Sequence, residues 1–315
     1  MLRLTPPAGT RLESARSFES FVAGSESNTL CAMARLGLRV SWRSQLPDNP
    51  NGRRVAAELQ SQGVDTRGVR WTPNARLGTF YAELPPAPLG PQVTYDRAGS
   101  AFATVNPDDW NLGDIADSRL LHLTGITPAL GVGPRSLFDR ALAIAADAGI
   151  ALSFDINYRS RLWTAEDAAA AVEKACAQAR VLICARGDAQ VLWGIEGEPH
   201  EVVNALQERF GSADQPKTIV VTCGAQGSVM LDGDRYEASE AFQCEGNHRF
   251  GSGDAFGAAF LTAWLNQPSS AGTATSPLRY GNAAAALKRC IAGDIAVITP
   301  GELEGLVGQS AGWFR

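Results

Sequence analysis

The second half of the chain alternates between short apolar segments and helical patterns, and this rhythm limits its fold more than any other feature. The predicted helices are 136–148, 165–178, 189–193 and 201–209, and the predicted strands are 150–154, 181–184 and 218–223. Strands that alternate with helices indicate a parallel sheet covered by helices on both faces. Wholly apolar strands suit a sheet buried on both sides.

The first half has a different pattern of predicted helices and strands. Segments 29–36 and 52–62 are predicted helices, and segments 39–42, 78–83 and 92–97 are predicted strands. The last two alternate polar and apolar residues on either side of the Pro-rich connection LPPAPLGP, which indicates antiparallel strands with one exposed face. We therefore expect one α/β domain over residues 1–315, with a small β-sheet lid formed within about 39–43 and 68–98.

Composition excludes several classes of protein. With 45% hydrophobic and 19% charged residues the chain is globular, and a net charge of −5 with scattered Lys and Arg disfavours nucleic-acid binding. The six cysteines show no metal-binding spacing and mostly lie in apolar runs, so they are expected to be reduced core residues of a cytoplasmic protein. No signal peptide or membrane-spanning run is present in the sequence given.

The segment RFGSGDAF carries the sharpest chemical signal. Gly251, Ser252 and Gly253 lead into an apolar helix, and a glycine-rich turn at a helix N-terminus presents backbone N–H groups to an anion. Asp254 beside such a site can act as the general base on a hydroxyl while the N–H groups stabilise a transferring phosphoryl group. The alternative is that Asp254 is an ordinary residue of the first helical turn. The segment is not a Walker A loop, because no G-K-[ST] follows.

Longer segments resemble the ribokinase-like, PfkB-type carbohydrate kinases, most closely the 2-keto-3-deoxygluconate kinases. The similarity runs along almost the whole chain and includes AGSESNTLCAMARLG, YDRAGSA, HLTGITPAL, FDINYRSRLW, TCGAQGSVML and RFGSGDAFGAAFLTAWL. It implies a ribokinase-like, doubly wound, mostly parallel sheet with a small β lid. It also implies transfer of phosphate from ATP, with Mg²⁺, to a sugar hydroxyl; for 2-keto-3-deoxygluconate the product would be the 6-phosphate.

The resemblance assigns substrate-binding roles to residues in the lid and at the sheet edge. Gly24 and Asn28 would hydrogen-bond sugar hydroxyls, and Tyr95 and Arg97 would reach over the sugar from the lid, with Tyr81 a weaker candidate. Because i and i+2 share a strand face, Tyr95 and Arg97 are expected to point the same way. Arg159 follows the strand IALSF, and a guanidinium at that position suits a carboxylate. Surface positions are the alternative for both arginines.

Further residues would bind the nucleotide and the metal. Gly224, Ala225 and Gly227 form a turn after the strand TIVVTC and would let a nucleotide approach the backbone, although the turn taken alone favours a plain connection between strands. Asn282 would lie near the adenine, or belong to ordinary helix packing. Asp188 would organise Mg²⁺ through water.

The chain departs from the family pattern in several places. His248 stands where an Asp is usual, and Ala185 to Asp188 replace the family's N-x-x-E, which puts metal or nucleotide handling in doubt. Ala23 replaces the first Gly of a Gly-Gly pair. Met1 to Leu4 align just after a buried family strand, so we expect either a shortened strand or a start that lies upstream.

Several readings remain open. The rivals are a kinase for another sugar such as a fructose-like ketose, a nucleoside kinase that stacks its base on Phe80, Tyr81 or Phe102, and a catalytically silent binding protein of the same fold. A Rossmann dehydrogenase is disfavoured because no G-x-G-x-x-G follows an early strand. The partners expected are a small sugar or sugar acid and ATP, with neither nucleic acid nor membrane. A homodimer or higher homo-oligomer through the lid is also expected.

Overall fold

The computed structural model describes residues 1–85, 88–212, 216–266 and 275–308. Residues 86–87 of the Pro-rich connection therefore lie outside the described residues. The strands are β1 Leu2–Thr5, β2 Glu19–Val22, β3 Ser44–Pro47, β4 Val69–Thr72, β5 Thr79–Glu83, β6 Gln92–Asp96, β7 Leu120–Thr124, β8 Ala151–Asp155, β9 Val181–Ala185, β10 Thr218–Thr222, β11 Ser228–Asp232 and β12 Arg235–Ser239. The helices are α1 Ser25–Arg35, α2 Pro50–Ser61, α3 Val132–Asp147, α4 Ala165–Gln178, α5 Arg186–Trp193, α6 Pro199–Phe210, α7 Ser252–Leu265, α8 Pro277–Arg289 and α9 Pro300–Val307.

The main sheet has the order β12-β11-β10-β9-β8-β7. Strands β7 to β10 are parallel, and β11 and β12 add an antiparallel hairpin at one edge. Alternate residues of the buried strands face opposite layers: Leu182 and Cys184 pack with α3, α4 and α6, whereas Val181 and Ile183 pack with α1, α7 and α8. The predicted parallel sheet between two helical layers is thus confirmed.

The lid is a four-stranded sheet of order β2-β1-β5-β6. The antiparallel pair β5–β6 was predicted, but β1 and β2 were not. Each of the two has only four residues, and β1 carries Arg3, a residue that is rarely buried. Here Arg3 is 2% exposed because its Nε lies 2.8 Å from Asp294 Oδ2 and its guanidinium stacks on Phe21 and Phe250.

The prediction that segment 39–43 contributes a lid strand is wrong. It lies in the connection after α1, and its β pairing within the described part of the chain is an isolated bridge between Ser41 and Asp65. The strand forms later, at β3, where SQLP gave no β signal because two polar residues and a Pro occupy four positions. β3 and β4 form a separate two-stranded parallel sheet rather than part of the lid.

Helix boundaries follow local capping. α4 begins after Thr164, whose hydroxyl accepts from the Asp167 N–H, and α2 begins with Pro50 after the cap Asn49. α1 begins at Ser25, four residues before the predicted start, because Gly24 supplies a backbone φ of 153° at its N-cap. In the described ranges, none of the helices combines the length and the apolar character that crossing a bilayer would need.

Candidate functional site

The glycine-rich turn ends in an open helix N-terminus. Gly251 is left-handed with φ 78°, and a Cβ there would lie 1.8 Å from the Asp294 carbonyl oxygen, so only glycine fits. The Ser252 N–H bonds the Arg249 carbonyl and the Ala255 N–H bonds that of Gly251. The N–H groups of Gly253 and Asp254 therefore lie at the open end of α7, where an added Cβ on Gly253 would meet no atom within 4 Å. This arrangement suits an anion.

The Asp254 carboxylate lies beside this turn and is held by two side chains of α1. Ser25 Oγ donates to Asp254 Oδ1 at 2.6 Å, and Asn28 Nδ2 donates to Oδ2 at 2.8 Å. Burial raises the pKa of Asp254, while the hydrogen bonds from Ser25 and Asn28 act in the opposite direction. The carboxylate is thus fixed in place and kept available as a proton acceptor.

Asn157 connects Asp254 to another carboxylate. Its Nδ2 lies 2.8 Å from Ser25 Oγ and 3.3 Å from Asp155 Oδ2. Asn157 has φ 42°, a left-handed conformation that Asn tolerates better than most residues. The sequence analysis missed Ser25, Asp155 and Asn157 as site residues. The usable signal was a D-x-N directly after a buried strand, at the carboxyl end where α/β ligands bind.

Three carboxylates gather around this position. Burial, with the charges of Asp254 and Asp188, raises the pKa of Asp155 to about 7. Burial also raises the pKa of Asp188, whose Oδ2 accepts from the Tyr158 N–H at 3.1 Å. Oxygen ligands in a negatively charged setting are what Mg²⁺ prefers, and Mg²⁺ needs few protein carboxylates because it retains water. The carboxylates therefore fit the ion, although the described residues contain no cluster of three or more side chains poised as direct ligands.

The raised pKa of Asp155 predicts a pH dependence of stability. Because its pKa is higher in the folded than in the unfolded state, the unfolded chain releases this proton first and the free energy of unfolding falls as pH rises from about 4 to above 7. We expect Asp155→Asn to remove this loss. From pH 5 to pH 8, the free energy of unfolding of Asp155→Asn should therefore rise by about 2–3 kcal/mol relative to that of the wild type at the same pH.

The measurement is chemical denaturation of both proteins at pH 5 and 8 in the presence of a metal chelator. Asp234→Asn, at an exposed position in the β11–β12 turn, is the matched control and should show no such gain. A difference between Asp155→Asn and wild type that is the same at both pH values would contradict the raised pKa.

Two arginines converge on the same region. Arg97 lies after β6, stacks 4.3 Å from the Tyr95 ring centroid, and has buried Nε and Nη2 atoms without a hydrogen-bond partner. Burial lowers its pKa, and the positive charge of Arg159 adds to this effect. Arg159 is exposed and its charge acts on Asp254, Asp155 and Asp188. Two neighbouring guanidiniums, one with unpaired buried donors, favour an anionic ligand.

The site also offers unpaired acceptors. Asn28 Oδ1 and Asn157 Oδ1 are buried and lack hydrogen-bond partners, although both amide nitrogens are used. Buried polar atoms are normally satisfied, so these oxygens suit the hydroxyl donors of a ligand. Gly24 lies directly before α1, and a Cβ on it would come within 2.8 Å of Ser27 Oγ.

Tyr81 lies apart from the other lid residues predicted to bind substrate. On β5 its neighbour Phe80 faces the body and contacts Tyr95 and Phe250, so Tyr81 points to the other face, where it packs against Phe18. The structure therefore brings Tyr95 and Arg97 together over the site and does not bring Tyr81 there.

The predicted nucleotide-binding residues lie at the carboxyl end of β10. Gly224, Ala225 and Gln226 form a short helical turn, and a Cβ on Gly224 would enter open space. Gly227 is required for packing, because a Cβ there would lie 2.1 Å from the Ser239 carbonyl oxygen. Asn282 is buried; its Nδ2 donates to the carbonyls of Ser239 and Glu240, and its Oδ1 accepts from Ser228. Its amide thus holds the wall of this region together.

The structure shows where the residues that depart from the family pattern lie. His248 is exposed, and its backbone N–H bonds the Arg289 carbonyl. Ala185 ends β9, and Asp188 occupies the first turn of α5. Ala23 is 3% exposed and packs with Phe80 of the lid.

Comparisons with known proteins agree with this arrangement. The model of the pfkB family carbohydrate kinases matches residues 4–300. The 2-dehydro-3-deoxygalactonokinase of Haloferax volcanii is 39% identical over 317 residues, which cover 100% of this chain and 96% of the relative. The chain belongs to the PfkB family of carbohydrate kinases. It is a phosphotransferase that acts on a sugar hydroxyl.

Solved structures share the fold over nearly the whole chain. The 2-dehydro-3-deoxygluconokinase of Thermotoga maritima superposes with a TM-score of 0.89 at 28% identity, covering 98% of this chain and 96% of that one. A putative ribokinase II of E. coli, solved in complex with ATP and Mg²⁺, superposes with a TM-score of 0.85 at 18% identity, with coverages of 98% and 96%. The second likeness shows the fold alone.

Proposed function

We propose that this protein uses ATP and Mg²⁺ to phosphorylate 2-keto-3-deoxygluconate, giving the 6-phosphate. The observation that carries the proposal is the pair of neighbouring arginines: Arg97 has buried donors without a partner, and the charge of Arg159 acts on Asp254. Guanidinium groups in this setting favour a carboxylate over a neutral sugar. The name of the Thermotoga maritima enzyme, a 28% identical neighbour, supports this substrate.

A second candidate is 2-keto-3-deoxygalactonate, the same acid with one hydroxyl inverted. It is favoured by the name of the Haloferax volcanii relative, which is 39% identical over its aligned length. Both acids would present the same carboxylate to the arginines. Discrimination between them would fall to groups that contact hydroxyls, such as the free oxygens of Asn28 and Asn157.

The mechanism follows from the positions of these groups. The sugar hydroxyl gives its proton to Asp254 as its oxygen attacks the terminal phosphate of ATP, and the bond from that phosphorus to the leaving ADP breaks. The N–H groups at the open end of α7 stabilise the charge on the transferring group without needing to reorient. Tyr95 and Arg97 cover the sugar from the lid.

Residues at the ends of β8, β10 and α5 would bind the nucleotide and the metal. Gly224 and Ala225 would accept ATP at the end of β10, with Gly227 and Asn282 shaping the wall behind it. Asp188, with Asp155, would hold Mg²⁺ through its water shell. The ion would neutralise phosphate charge when bound.

Ser25 is proposed as a positioning residue, because it touches the carboxylate of Asp254 from one side and Asn157 from the other. Its hydrogen bond favours the ionised form of Asp254. Without it, the pKa of Asp254 rises and fewer molecules hold the base ready at neutral pH.

We expect Ser25→Ala to move the acidic limb of the kcat/KM profile to higher pH by roughly one unit, since a hydrogen bond to a charged group contributes about 1.5–3 kcal/mol. Ser25→Thr keeps the hydroxyl and should restore the limb. Ser27→Ala is the matched control, because the Ser27 hydroxyl donates to the Gly24 carbonyl and, among the described residues, does not bond Asp254. If the acidic limb of the kcat/KM profile of Ser25→Ala lay at the same pH as in wild type, Ser25 would have no role in keeping Asp254 ionised.

The function is tested by a coupled assay of ADP release with 2-keto-3-deoxygluconate, its galacto epimer, fructose and a nucleoside. Asp254→Asn serves as the blank. The proposal expects Mg²⁺-dependent turnover with the two acids. Turnover only with fructose or the nucleoside would reassign the substrate, and nucleotide binding without turnover on any acceptor would favour a silent binding protein.

A further inference from the structure

A row of four side chains crosses the lid on the face that is turned to the body. Phe21 of β2, Arg3 of β1, Phe80 of β5 and Tyr95 of β6 lie opposite one another in the register of the four strands. Residues paired in this way share a face of the sheet, and Phe80 contacts Phe250 of the body. We call these four residues the lid row. Tyr95, at one end of it, is the member that would cover the sugar.

Arg3 is the charged member of the lid row, and it contacts both neighbours of the first glycine in the glycine-rich turn. Its guanidinium carbon lies 4.6 Å from the ring centroid of Phe250, which directly precedes Gly251. Its Nε lies 2.8 Å from Asp294 Oδ2. The Asp294 carbonyl oxygen lies against Gly251, where a Cβ would not fit. One guanidinium therefore contacts the residue before Gly251 in sequence and the residue packed on it in space.

The connection between α8 and α9, which carries Asp294, is held from two further sides. Lys288 of α8 is 0% exposed, and its Nζ donates to the Ile291 carbonyl oxygen at 2.9 Å. Gly293 has φ 85° and lies so close to the lid that a Cβ there would be 3.0 Å from Phe21 Cδ1. A shift of Asp294 would thus disturb the lid row and the glycine-rich turn together.

The charges of this buried cluster reach the carboxylate proposed as the base. Burial raises the pKa of Asp294 to about 6; the charge of Arg3 opposes this effect, and the charge of Asp254 adds to it. Burial lowers the pKa of Lys288 to about 8. A buried ion pair contributes little to stability compared with well-packed apolar residues. Stability alone therefore does not explain why an ion pair occupies the junction between the lid and the turn.

We propose that Arg3 and Asp294 are positioning residues, which hold the glycine-rich turn in a fixed place relative to the lid, so that its N–H groups meet the transferring phosphoryl group while the lid covers the sugar. The inference rests on the proposed role of this turn in phosphoryl transfer. Donors that stabilise developing charge lose much of their effect when they are displaced by about 1 Å. Loss of the pair should therefore lower kcat more than it raises the KM of the sugar.

The test replaces both charges at once, in Arg3→Met/Asp294→Asn. Methionine keeps the length of the side chain and packs well against the rings of Phe21 and Phe250, and the double change leaves neither partner of the pair buried alone. We expect kcat to fall by roughly 10–100-fold and the KM of the acceptor to stay within about threefold. Kinetics are measured well below the Tm of each variant, with whichever of 2-keto-3-deoxygluconate, its galacto epimer or fructose the wild type phosphorylates.

Arg11→Met/Glu83→Gln is the matched control. It removes another ion pair of the lid, which joins β5 to the segment after β1, and the glutamine keeps an acceptor for the Leu12 N–H. This control should keep the kcat of wild type. Arg3→Lys keeps the charge but not the flat stack between two rings, so kcat should fall by a smaller factor, roughly 3–10-fold. It replaces the neutral pair in the test if that variant does not fold.

Wild-type kcat in the variant tested, or a higher KM of the acceptor with kcat unchanged, would overturn the proposal. An equal loss of kcat in the control would also overturn it, because any ion pair of the lid would then matter as much. Asp254→Asn is measured alongside. Near-normal turnover of Asp254→Asn would contradict the proposed role of the turn itself, whereas an inactive Asp254→Asn beside a fully active pair variant would contradict the positioning role alone.

Discussion

Asp254→Asn is expected to lower kcat by roughly 10²–10⁴-fold while the protein keeps its fold. The substitution preserves the size of the side chain and an acceptor for the Ser25 hydroxyl, but an amide cannot take the proton of the sugar hydroxyl. The N–H groups of the glycine-rich turn remain in place, so residual activity should persist. Steady-state kinetics with 2-keto-3-deoxygluconate, together with Tm, provide the measurement.

Asp147→Asn is the matched control for this prediction. Asp147 is exposed at the end of α3, far in the chain from the glycine-rich turn, and its substitution should change neither kcat nor Tm. Near-normal turnover of Asp254→Asn would remove Asp254 from the role of base. A large loss of Tm would attribute the lost activity to unfolding, and Asp254→Ser, which lacks the carboxylate but is smaller, would then separate the two effects.

Removing either arginine is expected to lower kcat/KM for the sugar acid by roughly 10–100-fold, mainly through KM. Hydrogen bonds to a charged group contribute about 1.5–3 kcal/mol, and the buried donors of Arg97 have no other partner. Arg97→Ala and Arg159→Ala are compared with wild type on the acid and on fructose. The loss should be confined to the acid, because fructose has no carboxylate.

Arg161→Ala is the matched control, since Arg161 is exposed two residues after Arg159 and has no assigned contact with the substrate. Arg97→Lys keeps the charge but not the planar pair of donors, so it should recover only part of the affinity. An unchanged KM for the acid in both alanine variants would exclude the arginines as the carboxylate site. Equal losses on acid and fructose would assign them a structural role.

The three central strands of the main sheet, β8 to β10, could be predicted from sequence because they are short apolar runs between helical segments, as at Val181–Ala185. The edge strands β7, β11 and β12 were not predicted. The N-terminal lid strands could not be predicted either. Arg3 of β1 is buried because it forms an ion pair with Asp294, almost three hundred residues further along the chain. No local sequence pattern predicts such a distant partner. Segment 39–43 was a misleading strand signal, because its apolar residues Val40 and Trp42 pack against a core cluster while the segment pairs through an isolated bridge and not through a ladder.

Some residues of the site could likewise be predicted from local sequence and others could not. The G-S-G-D turn and the arginines carried recognisable chemistry in their local sequence. Ser25 and Asn157 did not, because a serine at a helix start and an asparagine after a strand are common, and only the fold brings both to Asp254. Asn282 had a plausible nucleotide role in sequence, yet its amide is engaged by neighbouring carbonyls. The homodimer through the lid stays a prediction.

The most direct test of the proposed function is the ratio of kcat/KM for 2-keto-3-deoxygluconate to that for fructose, measured with ATP and Mg²⁺ in wild type and in Arg97→Ala. The arrangement of Asp254, Arg97 and Arg159 predicts a ratio of at least roughly 100 in wild type that falls towards unity in the variant. A wild-type ratio near or below one, unchanged by the substitution, would contradict a sugar-acid kinase.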